Sequence, residues 1–143
     1  MTDILLVLTN PYAYENALAV AVNKAQQAQV DLKVVFLISS DSVSDMMGDL
    51  AERGWFGMSS LRTLQNKMID GYRALAGDVL KRVCRKAAPI EPILEGVVEK
   101  HSLVDYLQSR LRQGDSQIIV SSAELPNPEW GNWLDSVDWI KEG

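Results

Sequence analysis

Two apolar runs constrain this chain more than anything else in it. Ile4 to Leu8 and Val34 to Ile38 are unbroken hydrophobic stretches of strand length, the second rich in β-branched residues. A strand without polar alternation is one buried on both faces. Between them Asn10-Pro11 breaks the chain, and Leu18, Ala21, Val22 and Ala25 recur at helical spacing from Tyr14 to the glutamine-rich stretch before Val30. Strand, helix and second buried strand together predict a right-handed crossover in a parallel sheet covered by helices on both faces.

The rest of the chain continues that alternation. Leu61, Leu64, Met68, Tyr72, Leu75, Val79 and Val83 keep the three-and-four spacing of one long helix. Gly71 and Gly77 lower its intrinsic propensity; close packing is the expected reason for them, with exposed weak points as the alternative. Pro89 ends the helix, and Pro92-Ile93-Leu94 reads as a short third strand whose proline favours a sheet edge. Gly96 is expected to open a turn. Ser102 with Asp105 three residues on resembles a capping box ahead of Leu103, Leu107 and Leu111, and Gly114 closes that helix. Gln117 to Val120 is the fourth strand. Neither repeats nor linkers divide residues 1–143, so the chain reads as one domain.

Composition narrows the function classes. A net charge of −5 with no basic stripe argues against nucleic acid, whose binding rests on phosphate neutralisation. One cysteine, Cys84, excludes an internal disulfide, and with the single histidine, His101, it leaves too few ligands for zinc. Met1 is followed by Thr2-Asp3 and then by a short apolar run, so neither a signal peptide nor a membrane span is expected, and the cytoplasm is the expected compartment. Cys84 lies in the periodic stretch of the long helix and reads as a buried or half-buried, inert packing residue. His101 reads as solvent-exposed, because no serine or cysteine nucleophile pairs with it in the sequence.

Taken in order, these segments resemble the universal stress protein family. Ile4 to Ile38 resembles its first strand, helix and strand, and Leu94-Glu95-Gly96 its third strand with the following glycine. Asp115-Ser116-Gln117-Ile118-Ile119-Val120 resembles the run before its phosphate loop, and Ala51 to Gly57 a glycine-aromatic turn ahead of its second long helix. The resemblance implies a three-layer α/β sandwich of the adenine-nucleotide-hydrolase kind. Its parallel sheet would have four or five strands in the order 3-2-1-4, with or without a fifth. A closing strand is hard to recognise, since Val137-Asp138-Trp139-Ile140 is short and acidic; whether the tail from Trp133 is helix or strand stays open.

The same comparison implies a lost nucleotide site. ATP-binding members carry an aspartate after strand one that contacts adenine; Thr9, Asn10 and Pro11 stand there. They wrap the phosphates with spaced glycines and a final hydroxyl residue. Here Ser121 and Glu124 occupy the first two glycine positions, and Asp135-Ser136 the last pair if one residue is inserted. A phosphate cradle needs glycines so that backbone N–H groups can approach the anion. The loop Ser121 to Trp130 instead brings Pro126, Pro128, Glu124 and Glu129. A receiver-domain reading of Asp41 and Asp45 fails for want of acidic residues after strands one and three, and no metal is expected at that pair.

The expected cleft lies outside the carboxyl ends of the strands, where such sheets place ligands, with Thr9, Asn10, Ser39, Ser40, Gly96, Ser121, Ser122 and Ser136 as its residual lining and no cofactor. Trp55, Phe56, Trp130, Trp133 and Trp139 are the candidate interaction residues. The group of Met46, Met47, Trp55, Phe56 and Met58 reads either as an adaptable partner surface or as a cap on the core. Three functions follow. The first is a non-catalytic regulatory or interaction protein acting as a homodimer with an unidentified protein partner. The second is a small-molecule sensor using the cleft, and the third, weakest, is a nucleotide-hydrolase-like enzyme.

Overall fold

The computed structural model describes residues 3–39, 58–99, 101–114 and 116–142, excepting the side chains of residues 58–62, 64 and 65. Strands β1 (Asp3–Leu8), β2 (Leu32–Leu37), β3 (Ile93–Val98), β4 (Ser116–Ser122) and β5 (Val137–Lys141) form one sheet in the order β3-β2-β1-β4-β5. All four pairings are parallel. Helices α1 (Glu15–Ala28), α2 (Met58–Lys86) and α3 (Leu103–Gln113) supply the outer layers, and 3-10 turns at Pro128–Trp130 and Asn132–Ser136 lead into β5.

Alternation along each strand divides the core in two. Ile4, Leu6 and Leu8 of β1, with Val34, Phe36 and Ile119, face Ala17, Leu18, Ala21 and Ala25 of α1 and Ala76, Val79, Leu80 and Val83 of α2. Leu5, Val7, Val35, Leu37, Ile118 and Val120 face Tyr106 and Leu107 of α3, with Val137 of β5. The two apolar runs are therefore continuous because both of their faces are covered.

Local chemistry sets the ends of α3. Ser102 Oγ accepts the Asp105 N–H at 3.1 Å, and Gly114, at φ +71°, donates its N–H to the Leu111 carbonyl. That is the cap expected from the Ser102–Asp105 spacing.

Three expectations need correction. Gly96 does not open a turn: it lies within β3 at φ +91°, where the β2 pairing passes from Leu94 directly to Gly96 and leaves Glu95 as the extra residue of a bulge. Glu95 then meets Arg110 of α3 at 2.8 and 3.3 Å, tying the edge strand to the helix below it. β3 is accordingly longer than expected, although it does stand at the sheet edge. Gly71 and Gly77 are not close-packing sites, since a Cβ at either would meet no atom within 4 Å.

Cys84 is exposed. The buried face of α2 runs through Ala76, Val79, Leu80 and Val83, and one residue beyond Val83 the helix has turned by about 100° away from the core. The fifth strand left open by the sequence is present: β5 pairs along β4 from Ile118↔Val137 to Ser122↔Lys141. The acidic residue that obscured β5 is neutralised: Asp138 accepts from Lys24 Nζ of α1 at 2.8 Å and from Gln117 Nε2 at 2.9 Å. Among the described residues no helix is long and apolar enough to cross a membrane.

Candidate functional site

A cavity of about 580 Å³ opens at the carboxyl edge of the sheet. Thr9, Asn10, Pro11 and Tyr12 enter it from the loop after β1, and Phe36, Ile38 and Ser39 from the end of β2. Tyr72 of α2 and Leu103 of α3 close two sides, while Ser122, Ala123, Glu124 and Trp130 come from the segment after β4.

The predicted residues divide. Thr9, Asn10, Ser39 and Ser122 line the cavity. Ser121 does not: it is wholly buried, its carbonyl accepts the Thr9 hydroxyl at 2.7 Å and its own Oγ donates to the Ala13 carbonyl at 3.4 Å. It holds the loops after β1 and β4 together beneath the cleft. Gly96 lies inside β3, and Ser136 is exposed at the end of the second 3-10 turn, so neither is a lining residue. Ser40, Trp55 and Phe56, like Met46 and Met47, lie outside the described residues.

The loop after β4 is folded on itself. Glu124 N–H donates to Ser122 Oγ at 3.3 Å, Glu129 N–H to Asn127 Oδ1 at 3.0 Å and Trp130 N–H to the Asn127 carbonyl at 3.1 Å. Pro126 and Pro128 have no N–H to offer. Glu124 is the only charged residue among the described lining residues.

The tryptophans have distinct places. Trp133 and Trp139 are partly buried against the core on the α3 side, and Trp133 Nε1 donates to the Trp130 carbonyl at 2.8 Å. Trp130 is 39% exposed, with its ring centroid 6.1 Å from that of Trp139. It therefore belongs to the cleft as well as to the tail, a position visible only once β5 is in place. Phe36, Ile38, Tyr72 and Leu103 were also missed as lining. The signal for Phe36 and Ile38 was their place at the carboxyl end of the second apolar run; for Tyr72 and Leu103 there was none.

One carboxylate without a place in the sequence reading decides the local architecture. Helix α1 has no side-chain cap of its own at Tyr14. Glu142, 5% exposed just beyond β5, accepts the Ala17 N–H at 2.7 Å and the Asn16 N–H at 3.4 Å, while its own N–H donates to the Ser122 carbonyl at 2.8 Å. Beside it Glu15 pairs with Lys86 at 3.3 Å, and Lys86 Nζ lies 5.0 Å from the centre of the buried Tyr14 ring. The Glu15 carboxyl is held below its ordinary range chiefly by the Tyr14 N–H, with Lys86 assisting.

His101 is exposed ahead of α3, and among the described residues no group of three His, Cys, Asp or Glu is placed to hold a metal.

The whole chain superposes on a solved structure, the universal stress protein UspA from Lactobacillus plantarum, with 100% of this chain and 99% of that one covered, a TM-score of 0.61 and 13% sequence identity. The fold is that of the universal stress proteins. A second solved structure, a protein from the universal stress protein family from Burkholderia pseudomallei, covers 95% of this chain and 94% of its own at 15% identity, with a TM-score of 0.47. No protein-family model and no curated protein matches the sequence. Within the universal stress fold, β5 is the closing strand that the sequence left in doubt.

Proposed function

We propose that this chain is a regulatory protein of the universal stress type that does not use ATP, works in the cytoplasm without catalysis, and acts through protein contacts as a homodimer. The loop after β4 carries this reading. The N–H groups of Glu124, Glu129 and Trp130 are committed to acceptors within the loop, and Pro126 and Pro128 have none. Glu124 beside a phosphate would add repulsion of about 1 to 4 kcal/mol at 4 Å, according to the effective dielectric. Calorimetry with Mg·ATP tests it: no saturable heat at micromolar concentration is expected, and a 1:1 isotherm near 10 µM would overturn it.

The homodimer is supported by the position of β5. It pairs with β4 on one side only, and its other side is the sheet edge, which proteins cover or pair. Since Glu142 N–H points to Ser122, alternation turns the backbone of Lys141 outward. A two-fold pairing of β5 with its copy satisfies that edge. The variant Lys141→Pro removes an outward N–H without touching the β4 ladder, and sedimentation should show dimer becoming monomer. A wild-type monomer would refute the dimer.

A second reading, a small-molecule sensor, is favoured by the cavity itself. Its volume suits a small organic ligand, and its wall mixes aromatic rings with polar groups.

A further inference from the structure

The cleft is aromatic at its mouth, and its one charge among the described lining residues is negative. Tyr12 is 76% exposed and Trp130 39% exposed. Trp130 is nevertheless held in place: Asn127 caps its turn, its carbonyl takes the Trp133 indole N–H, and its ring leans on that of Trp139. An aromatic ring held in place at the cleft wall with part of its surface open is pre-organised for a ligand and loses little entropy when one binds.

The polar groups point the same way. The Thr9 hydroxyl donates to the Ser121 carbonyl, the Tyr12 N–H to Asn10 Oδ1 and the Glu124 N–H to Ser122 Oγ, so three donors of the wall are spent internally. The Glu124 carboxylate belongs to an exposed residue of the cleft wall. The only charge among the described lining residues is negative, and the net charge of −5 disfavours an anion further. A ligand carrying both a positive charge and N–H donors, on an apolar body, finds acceptors, a carboxylate and aromatic rings.

We infer that the cleft binds a small organic ammonium ion with an aromatic or aliphatic body, its charge against Glu124 and its body against Trp130 and Tyr12. This rests on the second reading, that the cleft takes a small molecule, and names the class.

A charge series on one body tests it. The probes are 2-phenylethylammonium, 2-phenylethanol and phenylacetate, titrated into the 15N-labelled full chain at low salt while the amides of Thr9, Ser122, Ala123 and Glu124 and the Trp130 indole are followed. The ammonium should bind about fivefold more tightly than the alcohol, as expected for a cation over an aromatic ring beside a carboxylate. That advantage should shrink on adding salt. Glu124 is exposed and its backbone N–H bonds Ser122 Oγ, a bond that Glu124→Gln leaves in place, so this variant should remove most of the ammonium's advantage over the alcohol. Equal binding by the wild type would overturn the charge inference while leaving the cleft a ligand site. Tightest binding by phenylacetate would reverse its sign. Absence of shifts at these residues with any probe would overturn the cleft reading as well.

Discussion

Replacing Glu142 tests how the tail holds the fold together. Its carboxylate is the acceptor for two N–H groups in the first turn of α1, at 2.7 and 3.4 Å, and Ala17, which makes the shorter bond, is fully buried. Loss of an ordinary N-cap costs about 0.5–2 kcal/mol. The charge is opposite the positive end of the helix dipole, which contributes up to about 1 kcal/mol more at a partly buried site. A buried donor left without a partner costs about 1–3 kcal/mol. These terms overlap, so Glu142→Ala should destabilise the protein by about 2–3 kcal/mol in all. For a domain of this size that lowers the melting temperature by roughly 6–9 °C.

Glu142→Gln keeps an acceptor and loses only the charge, and should cost about 1 kcal/mol. Urea unfolding followed by tryptophan fluorescence measures both, and amide exchange at Ala17 should accelerate in the alanine variant. Unchanged stability in Glu142→Ala, with Ala17 still protected, would show that water caps α1 equally well and that the tail is dispensable to it.

Other positions yield further expectations. Gly71→Ala and Gly77→Ala meet no neighbour and should each stabilise α2 by about 0.5–1 kcal/mol, read as a rise in the urea midpoint; a fall would mean that close packing holds after all. The hydrogen bond from Lys24 lowers the Asp138 carboxyl below its usual 3.8, against the opposing effect of burial. A lowered folded value means that its contribution is complete above the unfolded value and is lost as pH falls through the folded one. The stability difference between wild type and Asp138→Asn should therefore be constant near neutrality, at most about 1 kcal/mol for so exposed a pair, and vanish in strong acid. Cys84 should react with a thiol probe at nearly the same rate in native buffer as in denaturant, and strong native protection would contradict its exposed position on α2.

Elements whose identity is written in consecutive residues were legible. Ile4 to Leu8 and Val34 to Ile38 are strands because nothing polar interrupts them, and α3 begins at Ser102 because the hydroxyl and the Asp105 N–H are neighbours in the chain. The parallel arrangement followed from those runs and from the crossover rule, while the strand order with β1 at its centre came from the resemblance to the universal stress proteins. Part of the site was legible for the same reason: Thr9, Asn10, Ser39 and Ser122 lie where strands end, and in a parallel sheet those ends share one edge.

Side-chain placement was legible only where one element decides it. Periodicity says that α2 has a buried face but not which edge of that face Cys84 occupies, and a glycine in β3 reads as a turn until pairing with β2 shows a bulge.

What the sequence by itself determined is the set of strands and helices and their parallel arrangement, since hydrophobic period and caps act over a few residues. Tertiary structure alone decided the rest. β5 is a strand because Lys24 and Gln117 neutralise Asp138 and because β4 offers a ladder. Glu142 is a helix cap only because β5 carries it to Ala17, 125 residues away in the chain. Trp130, Tyr72 and Leu103 share a cleft because a turn after β4, the middle of α2 and the start of α3 meet at one edge of the sheet. Such contacts depend on distances that no local pattern encodes: they exist only after the sheet has brought remote segments together.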